Sequence, residues 1–150
     1  MEWPEISLWY SVAAGCTAWI CYTDIRRYWI ADAPVLALAV GNGAASYAEW
    51  IRPFWPVSLG VAAFFLLLYV LWPGAIGSGD IKLALALSLG CPDWSAWTMA
   101  VTAFGLAAFV ALLYRLGTGK TMIPFGPFLL AGWWLAQEPF RCAWPGDWLW

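Results

Sequence analysis

The 150-residue sequence contains no histidine and few charged residues of either sign. The missing histidine excludes Ser-His and Cys-His nucleophile pairs and every metal site built on imidazole. Charged residues make up 11% of the chain, whereas a soluble domain has about a quarter. The net charge is −2, and there is no basic tract of the kind that binds nucleic acid. These absences argue against several classes of soluble enzyme and against a nucleic-acid-binding protein.

What the chain has instead is apolar sequence, with 63% hydrophobic residues and 14 tryptophans. A membrane-crossing helix needs about 20 mainly apolar residues. We therefore predict a single membrane-embedded domain, residues 1–150, of the all-α class: a polytopic membrane bundle of about six transmembrane helices. The predicted spans are 6–23, 33–48, 54–72, 81–91, 95–114 and 123–136.

Loop charges predict the orientation of this bundle. With six spans, two loop cations fall on one side, Arg52 and Arg141. Five fall on the other side: Arg26, Arg27, Lys82, Arg115 and Lys120. Since cytoplasmic loops carry the excess of lysine and arginine, the second side is predicted to be cytoplasmic and both termini to lie outside.

The four cysteines lack the C-x-x-C spacing of zinc sites and are interpreted mainly as apolar packing residues. The predicted topology puts Cys91 and Cys142 on the outer side, where disulfides form. A bridge between these two is therefore a hypothesis, subject to their separation in space.

The fourth predicted span is too short to cross a bilayer. Its apolar stretch, IKLALALSLG, covers about 15 Å as a helix, half of the hydrocarbon thickness. Asp80, which precedes it, is then expected below the cytoplasmic surface. An aspartate at that depth costs roughly 2.5–3.5 kcal/mol and usually marks function. The alternative is that Asp80 only caps its helix through its side chain.

Asp24, at the end of the first predicted helix, is the candidate partner of Asp80. Two carboxyl groups at similar depth can share a proton, so that one activates water while the other donates to a carbonyl oxygen. Gly77 and Gly79 let the backbone come close to a partner or a substrate. Asp24 lies at a helix C-terminus and Asp80 at an N-terminus. The helix dipoles therefore favour the anion at Asp80 by about 0.3–1 kcal/mol.

Three stretches of the chain, TDIRRYWIADAPVLAL, GSGDIKLALALSLG and IPFGPFLLAG, resemble the ordered motifs of the membrane-embedded aspartic prepilin peptidases. The resemblance runs from Asp24 to Gly132 and implies that Asp24 and Asp80 are the catalytic pair. It implies supporting roles for nine further motif positions: Arg26, Asp32, Gly77, Gly79, Lys82, Pro124, Phe125, Gly126 and Pro127.

The activity that this resemblance implies is cleavage of the leader peptide of type IV prepilin-like proteins. It would occur at the cytoplasmic face of the bacterial inner membrane, without a cofactor or a metal. The expected partners are a prepilin-like substrate helix and the lipid bilayer, with no nucleic acid and no nucleotide. The chain departs from the family pattern at Ala31, where proline is usual. It resembles the compact, peptidase-only form without the N-terminal methyltransferase region, so no methyl transfer is expected.

Other interpretations remain open at this point. Presenilin and signal-peptide-peptidase-like proteases also use a GxGD aspartate, but they have Tyr directly before the first aspartate, where this chain has Thr23. A non-enzymatic small transporter with buried acids along a proton path would fit the composition. The GTGKT stretch at 117–121 is similar to a phosphate-binding loop, but position 114 is Tyr114 where that motif needs glycine.

Overall fold

Six helices make up the fold in the computed structural model, which describes residues 3–74, 76–118 and 123–137. They are α1 (Trp3–Arg27), α2 (Asp32–Tyr47), α3 (Trp55–Leu71), α4 (Ser78–Ser88), α5 (Ser95–Thr118) and α6 (Gly126–Ala136). The described ranges contain no strand beyond an isolated bridge between Pro53 and Pro92. The prediction of an all-α fold with six helices is thereby confirmed, with each predicted span overlapping one helix.

Local chemistry explains where several of these helices begin and end. Pro56 and Pro127 lie in the first turns of α3 and α6. A proline there costs no intrahelical bond, because first-turn N–H groups have no acceptor inside the helix. At the end of α1, Tyr28 adopts a left-handed backbone with φ 51°. Its N–H still donates to the Asp24 carbonyl at 2.8 Å, and the chain then turns toward α2.

The two shortest helices, α4 and α6, lie at the centre of the bundle. Helix α4 packs against α2, α3 and α6, while α6 packs against α1, α4 and α5. Contacts of α1 with α2 and of α3 with α5 close the bundle around them. Each central helix has 11 residues, or roughly 16 Å of length. Both therefore begin and end inside the span of their longer neighbours.

The C-terminus of α4 is satisfied by side chains from other helices. The last carbonyl groups of a helix have no intrahelical partner and are costly to bury alone. Two buried side chains donate to the last carbonyls of α4, Asn42 Nδ2 to Ala86 (2.8 Å) and Ser58 Oγ to Ser88 (3.0 Å), and buried Gln137 Nε2 donates to Gly90 (3.3 Å), two residues beyond the helix. The bundle can therefore bury a helix end within its interior.

Helices α5 and α6 pack at very short range through Gly132. A methyl group on Gly132 would lie 2.5 Å from the Met99 carbonyl oxygen and 2.7 Å from Thr102 Oγ1. On the other side of α6, Trp134 Nε1 donates to Thr17 Oγ1 of α1 at 3.1 Å. These two contacts fix α6 between α1 and α5.

The outer surface of the bundle is strongly apolar. Exposed leucine, valine and phenylalanine side chains line the outward faces of α3 and α5, among them Leu66, Val70, Val101, Phe109 and Leu113. Within the described ranges, one helical segment, 95–117, is both long and apolar enough to cross a membrane by length and composition. Shorter apolar helices occur at Trp55–Leu71 and Gly126–Ala136.

The cysteines behave as packing residues where the structure describes them. Cys16 and Cys21 are free, half-buried thiols that pack against the core. Cys91 is a buried free thiol whose Sγ donates to the Leu87 carbonyl at 3.4 Å. Its hypothesised disulfide partner, Cys142, lies outside the described residues, as do Lys120 and Arg141 of the predicted loops.

Two glycine substitutions test the α5–α6 contact. Gly132→Ala should lower the free energy of unfolding by about 1–3 kcal/mol, because its methyl group meets backbone that cannot move aside. Gly105→Ala is the matched control on α5, since nothing lies within 4 Å of its added methyl group. It should stabilise by about 0.5–1 kcal/mol through helix propensity. Melting temperatures in detergent measure both, and equal effects would contradict the packing.

Candidate active site

Asp24 lies in the last turn of α1 with its side chain turned into the bundle, where the residue is 5% exposed. Its Oδ2 accepts a hydrogen bond from the Gly126 N–H at 2.9 Å. Gly126 is the first residue of α6, so its N–H has no intrahelical acceptor and is available to a carboxylate. Glycine at position 126 also makes this close approach possible, because a methyl group would lie 2.8 Å from Asp24 Oδ2 and would force the carboxyl group to shift.

Asp80 is the third residue of α4, in its first turn. Its Oδ2 accepts the Gly77 N–H at 3.1 Å, as the third residue of a capping box does. Its Oδ1 is buried and finds no hydrogen-bond partner in the described part of the chain. Asp80 therefore caps its helix with one oxygen and keeps the other available for a further donor.

The two carboxyl groups lie close enough to interact electrostatically, although 56 positions separate them in sequence. Each accepts one backbone N–H at the start of a central helix, α4 or α6. The predicted positions at opposite helix ends are confirmed, but Asp24 also faces the N-terminus of α6. The dipole argument from α1 alone is thus incomplete, and the resting location of the proton stays a prediction.

Ile30 fills the space between the two starting turns. A methyl group on Gly79 would lie 3.1 Å from Ile30 Cβ, and one on Gly126 would lie 3.2 Å from Ile30 Cδ1. Ile30 itself is 7% exposed. The sequence interpretation gave this residue no role, since an isoleucine among aromatic and charged residues signals only burial. The signal that could have found it is its position in the stretch that also holds Asp24 and Asp32.

Aromatic packing holds the N-terminus of α6 in place. The Phe125 ring contacts Phe104 on α5 at a centroid distance of 5.0 Å and Phe65 on α3 at 6.3 Å. Pro124 lies half-buried before it, and Pro127 follows in the first turn. The Pro-Phe-Gly-Pro segment therefore presents the Gly126 N–H from a fixed position. Of its four residues, Gly126 contacts Asp24 directly, and the supporting roles of the other three stay a prediction.

The charged motif residues lie at the edge of the site. Lys82 Nζ and Asp32 Oδ1 form an ion pair at 2.8 Å, with side chains 56% and 73% exposed. Arg26 is exposed, with its guanidinium 5.8 Å from the centre of the Tyr22 ring. In the described part of the chain no cation is seen to pair with either Asp24 or Asp80.

Ala31 leaves the entry to α2 intact. Its backbone dihedrals are φ −68° and ψ 134°, and the φ value is close to that which a proline ring imposes. The departure from the family pattern therefore does not alter the path of the chain.

An open groove of about 520 Å³ runs between the end of α1 and the start of α2. It is lined by Trp19, Tyr22, Thr23, Arg27, Trp29, Ala31, Asp32 and Ala33.

Chemically, the described residues provide two interacting carboxyl groups, one buried oxygen that has no partner among them and two fixed backbone donors. A shared proton would leave one carboxyl group able to take a proton from water and the other able to give one. Gly77, Gly79, Gly126, Asp24 and Asp80 are brought together. Arg26, Asp32 and Lys82 are placed around them.

Comparisons with known proteins agree with the motif interpretation. Residues 11–116 match the profile of the type IV leader peptidase family. The chain is also 31% identical over 126 residues to a prepilin leader peptidase/N-methyltransferase of Dichelobacter nodosus. That match covers 76% of this chain and 43% of the relative, so the chain spans less than half of the relative's length. No solved structure matches.

The exposed Lys82–Asp32 pair should contribute little to stability. Asp32→Asn and Lys82→Gln should each change the free energy of unfolding by less than about 1 kcal/mol, because solvent screens the pair. The exposed Arg52–Glu49 pair, at 3.1 Å, offers a matched control. Double-mutant cycles from detergent melting curves measure both pairs. A coupling well above that of the control would show that the pair holds α2 against α4.

Proposed function

The chain belongs to the type IV leader peptidase family, and from that premise we propose that it is a membrane aspartic endopeptidase. Its proposed substrate is the leader peptide of a type IV prepilin-like protein, and its proposed catalytic pair is Asp24 and Asp80. The observation that supports the proposal is that each carboxyl group accepts a backbone N–H at the start of a short central helix, Asp80 at α4 and Asp24 at α6, and that the two interact electrostatically. Within the described residues, the buried Oδ1 of Asp80 has no hydrogen-bond partner.

In the proposed reaction, the ionised carboxylate takes a proton from a water molecule while the oxygen attacks the scissile carbonyl carbon. The protonated carboxyl group gives its proton to the carbonyl oxygen, which forms a neutral tetrahedral diol. Collapse of the diol breaks the C–N bond: the leaving amine takes up the proton of one carboxyl group, while a diol hydroxyl gives its proton to the other, which restores the singly protonated pair. The N–H donors of Gly77 and Gly126 orient the two carboxyl groups throughout.

We further propose that the protein spans the bacterial inner membrane several times, with this site facing the cytoplasm. The apolar outer faces of α3 and α5 support a lipid environment. Arg26, Arg27 and Lys82 lie beside the two aspartates in sequence, on the side that the positive-inside rule assigns to the cytoplasm. A prepilin-like leader would then be cleaved before its apolar segment leaves the membrane.

The family match favours this function over the alternatives raised by the sequence. A presenilin-like protease or a non-enzymatic transporter would share the buried acids, but the family profile covers both aspartates, Asp24 and Asp80. The relative is also named as an N-methyltransferase, and its whole length is more than twice the part that matches this chain. We propose the peptidase activity alone for the residues that this chain contains.

Removal of either carboxyl group should abolish cleavage. Asp24→Asn and Asp80→Asn should each lose leader cleavage while the protein still inserts in the membrane. The double variant should be no worse than either single one, because residues that act as a unit are not additive. Cleavage of a prepilin-like protein, followed by gel shift in membranes, measures this. Asp32→Asn is the control and should keep substantial activity, and full cleavage by either catalytic variant would disprove the pair.

Single cysteines in a cysteine-free variant should report the proposed orientation. Arg27→Cys should resist an impermeant thiol reagent in intact cells and react once the membrane is permeabilised. Glu49→Cys is the matched control: Glu49 is also exposed but lies in a loop assigned to the outer side. It should react in intact cells. The opposite labelling pattern would place the candidate site outside the cytoplasm and remove this part of the proposal.

A further inference from the structure

We propose that Ile30 is a positioning residue that sets the separation between the Asp24 and Asp80 carboxyl groups. The inference rests on the proposed function, since it concerns the geometry of the same pair. Ile30 itself has no group that can act chemically on a peptide bond. Its role follows from where its carbon atoms lie relative to two glycines, Gly79 and Gly126.

On the α4 side, the Ile30 side chain lies directly against the starting turn that carries Asp80. The position that a Gly79 methyl group would take is 3.1 Å from Ile30 Cβ, 3.6 Å from Cγ1 and 3.7 Å from Cδ1. A methyl group at position 79 would therefore fit only if Ile30 moved by a few tenths of an ångström. The backbone of α4 therefore rests on Ile30 one residue before Asp80.

On the α6 side, the tip of the same side chain reaches the residue that binds Asp24. The position of a Gly126 methyl group is 3.2 Å from Ile30 Cδ1 and 2.8 Å from Asp24 Oδ2. Gly126 donates its N–H to that same oxygen. Gly126 thus lies against both Ile30 and Asp24, and this one residue sets the distance of α6 from each of them.

Ile30 is held rigidly enough to act as a spacer. The left-handed turn at Tyr28 returns the chain beneath α1, and Ile30 then belongs to the buried core with 7% exposure. A β-branched side chain has few accessible χ1 rotamers, so Cγ1 and Cγ2 keep fixed positions, while packing against its neighbours holds Cδ1. A protein interior is close-packed, and its neighbours cannot move freely into or out of that space.

The first experiment compares Ile30→Ala with Leu38→Ala in the full-length protein in detergent. Both residues are buried, at 7% and 3% exposure, and both substitutions remove three carbon atoms. Leu38 lies on α2, two turns beyond its start, so its substitution reports the general effect of a cavity. The probe is a synthetic peptide with a short charged leader, a glycine and an apolar segment of about 20 residues. The quantities measured are kcat, KM and the pH dependence of kcat.

For Ile30→Ala we expect kcat to fall roughly 10–100-fold relative to Leu38→Ala, because misplacement of reacting groups by about 1 Å has effects of that size. KM should stay within about twofold, since ground-state binding is left in place. The interval between the acid and alkaline limbs of the pH profile should change, because it reflects the coupling between the carboxyl groups. Leu38→Ala should change kcat by the same factor at every pH and leave that interval unchanged.

Ile30→Val provides a second test if the alanine variant folds poorly. Valine keeps the Cβ and Cγ atoms nearest to Gly79 and loses only Cδ1, which makes the contact with Gly126 and the most distant of the three contacts with Gly79. It should restore most of kcat while keeping part of the altered pH interval. An unchanged interval and a kcat equal to that of Leu38→Ala in both Ile30 variants would disprove the inference.

The wild-type protein separates failure of this inference from failure of the proposed function. If the wild type cleaves the peptide and Asp24→Asn does not, the proposed function holds and the Ile30 variants test only the spacing. If the wild type does not cleave a prepilin-like peptide, the peptidase proposal itself fails. The spacing inference then fails with it, because it has no reaction to act on.

Discussion

The hydrogen bond from the Gly126 N–H to Asp24 Oδ2, at 2.9 Å, joins the end of α1 to the beginning of α6. Glycine at position 126 favours it, because a methyl group would lie 2.8 Å from Asp24 Oδ2 and would force the carboxyl group to shift. The bond also requires that α6 start at that point. Phe125 packed on Phe104, and Trp134 bonded to Thr17, hold the helix there. The candidate site therefore depends on how α6 is seated as much as on its two carboxyl groups.

The position of Asp80 in the bundle depends on where the C-terminal end of α4 is held. Helix α4 has only 11 residues, so the point where it stops determines where it begins. Asn42, Ser58 and Gln137 satisfy the carbonyls at its C-terminal end. Without these donors, each unsatisfied buried carbonyl would cost about 1–3 kcal/mol of folding free energy. These polar residues thus fix the end of α4, and with it the position of the first turn in which Asp80 lies.

Sequence reasoning predicted the elements well and their contacts incompletely. Apolar spans bounded by proline, glycine and charge predicted six helices, and the resemblance carried by three ordered motifs implied that Asp24 and Asp80 form a pair. The bond between Asp24 and Gly126 joins residues 102 positions apart, and no periodicity indicates such a pair. Ile30 was missed because a buried isoleucine has the same sequence signal whether it fills a core or spaces two helices. Only the distances to Gly79 and Gly126 distinguish these roles.

Among the described residues, no cation is seen to pair with either aspartate of the site. Lys82, the motif cation nearest to Asp80 in sequence, pairs instead with Asp32 at the exposed rim. The described contacts of the two carboxyl groups are therefore backbone N–H donors rather than cations. Such donors stabilise a carboxylate but leave its charge in place, so the repulsion between Asp24 and Asp80 persists in a region that water and salt screen poorly. Two like charges held in this way favour sharing of a single proton, which is the state that hydrolysis by two carboxyl groups requires.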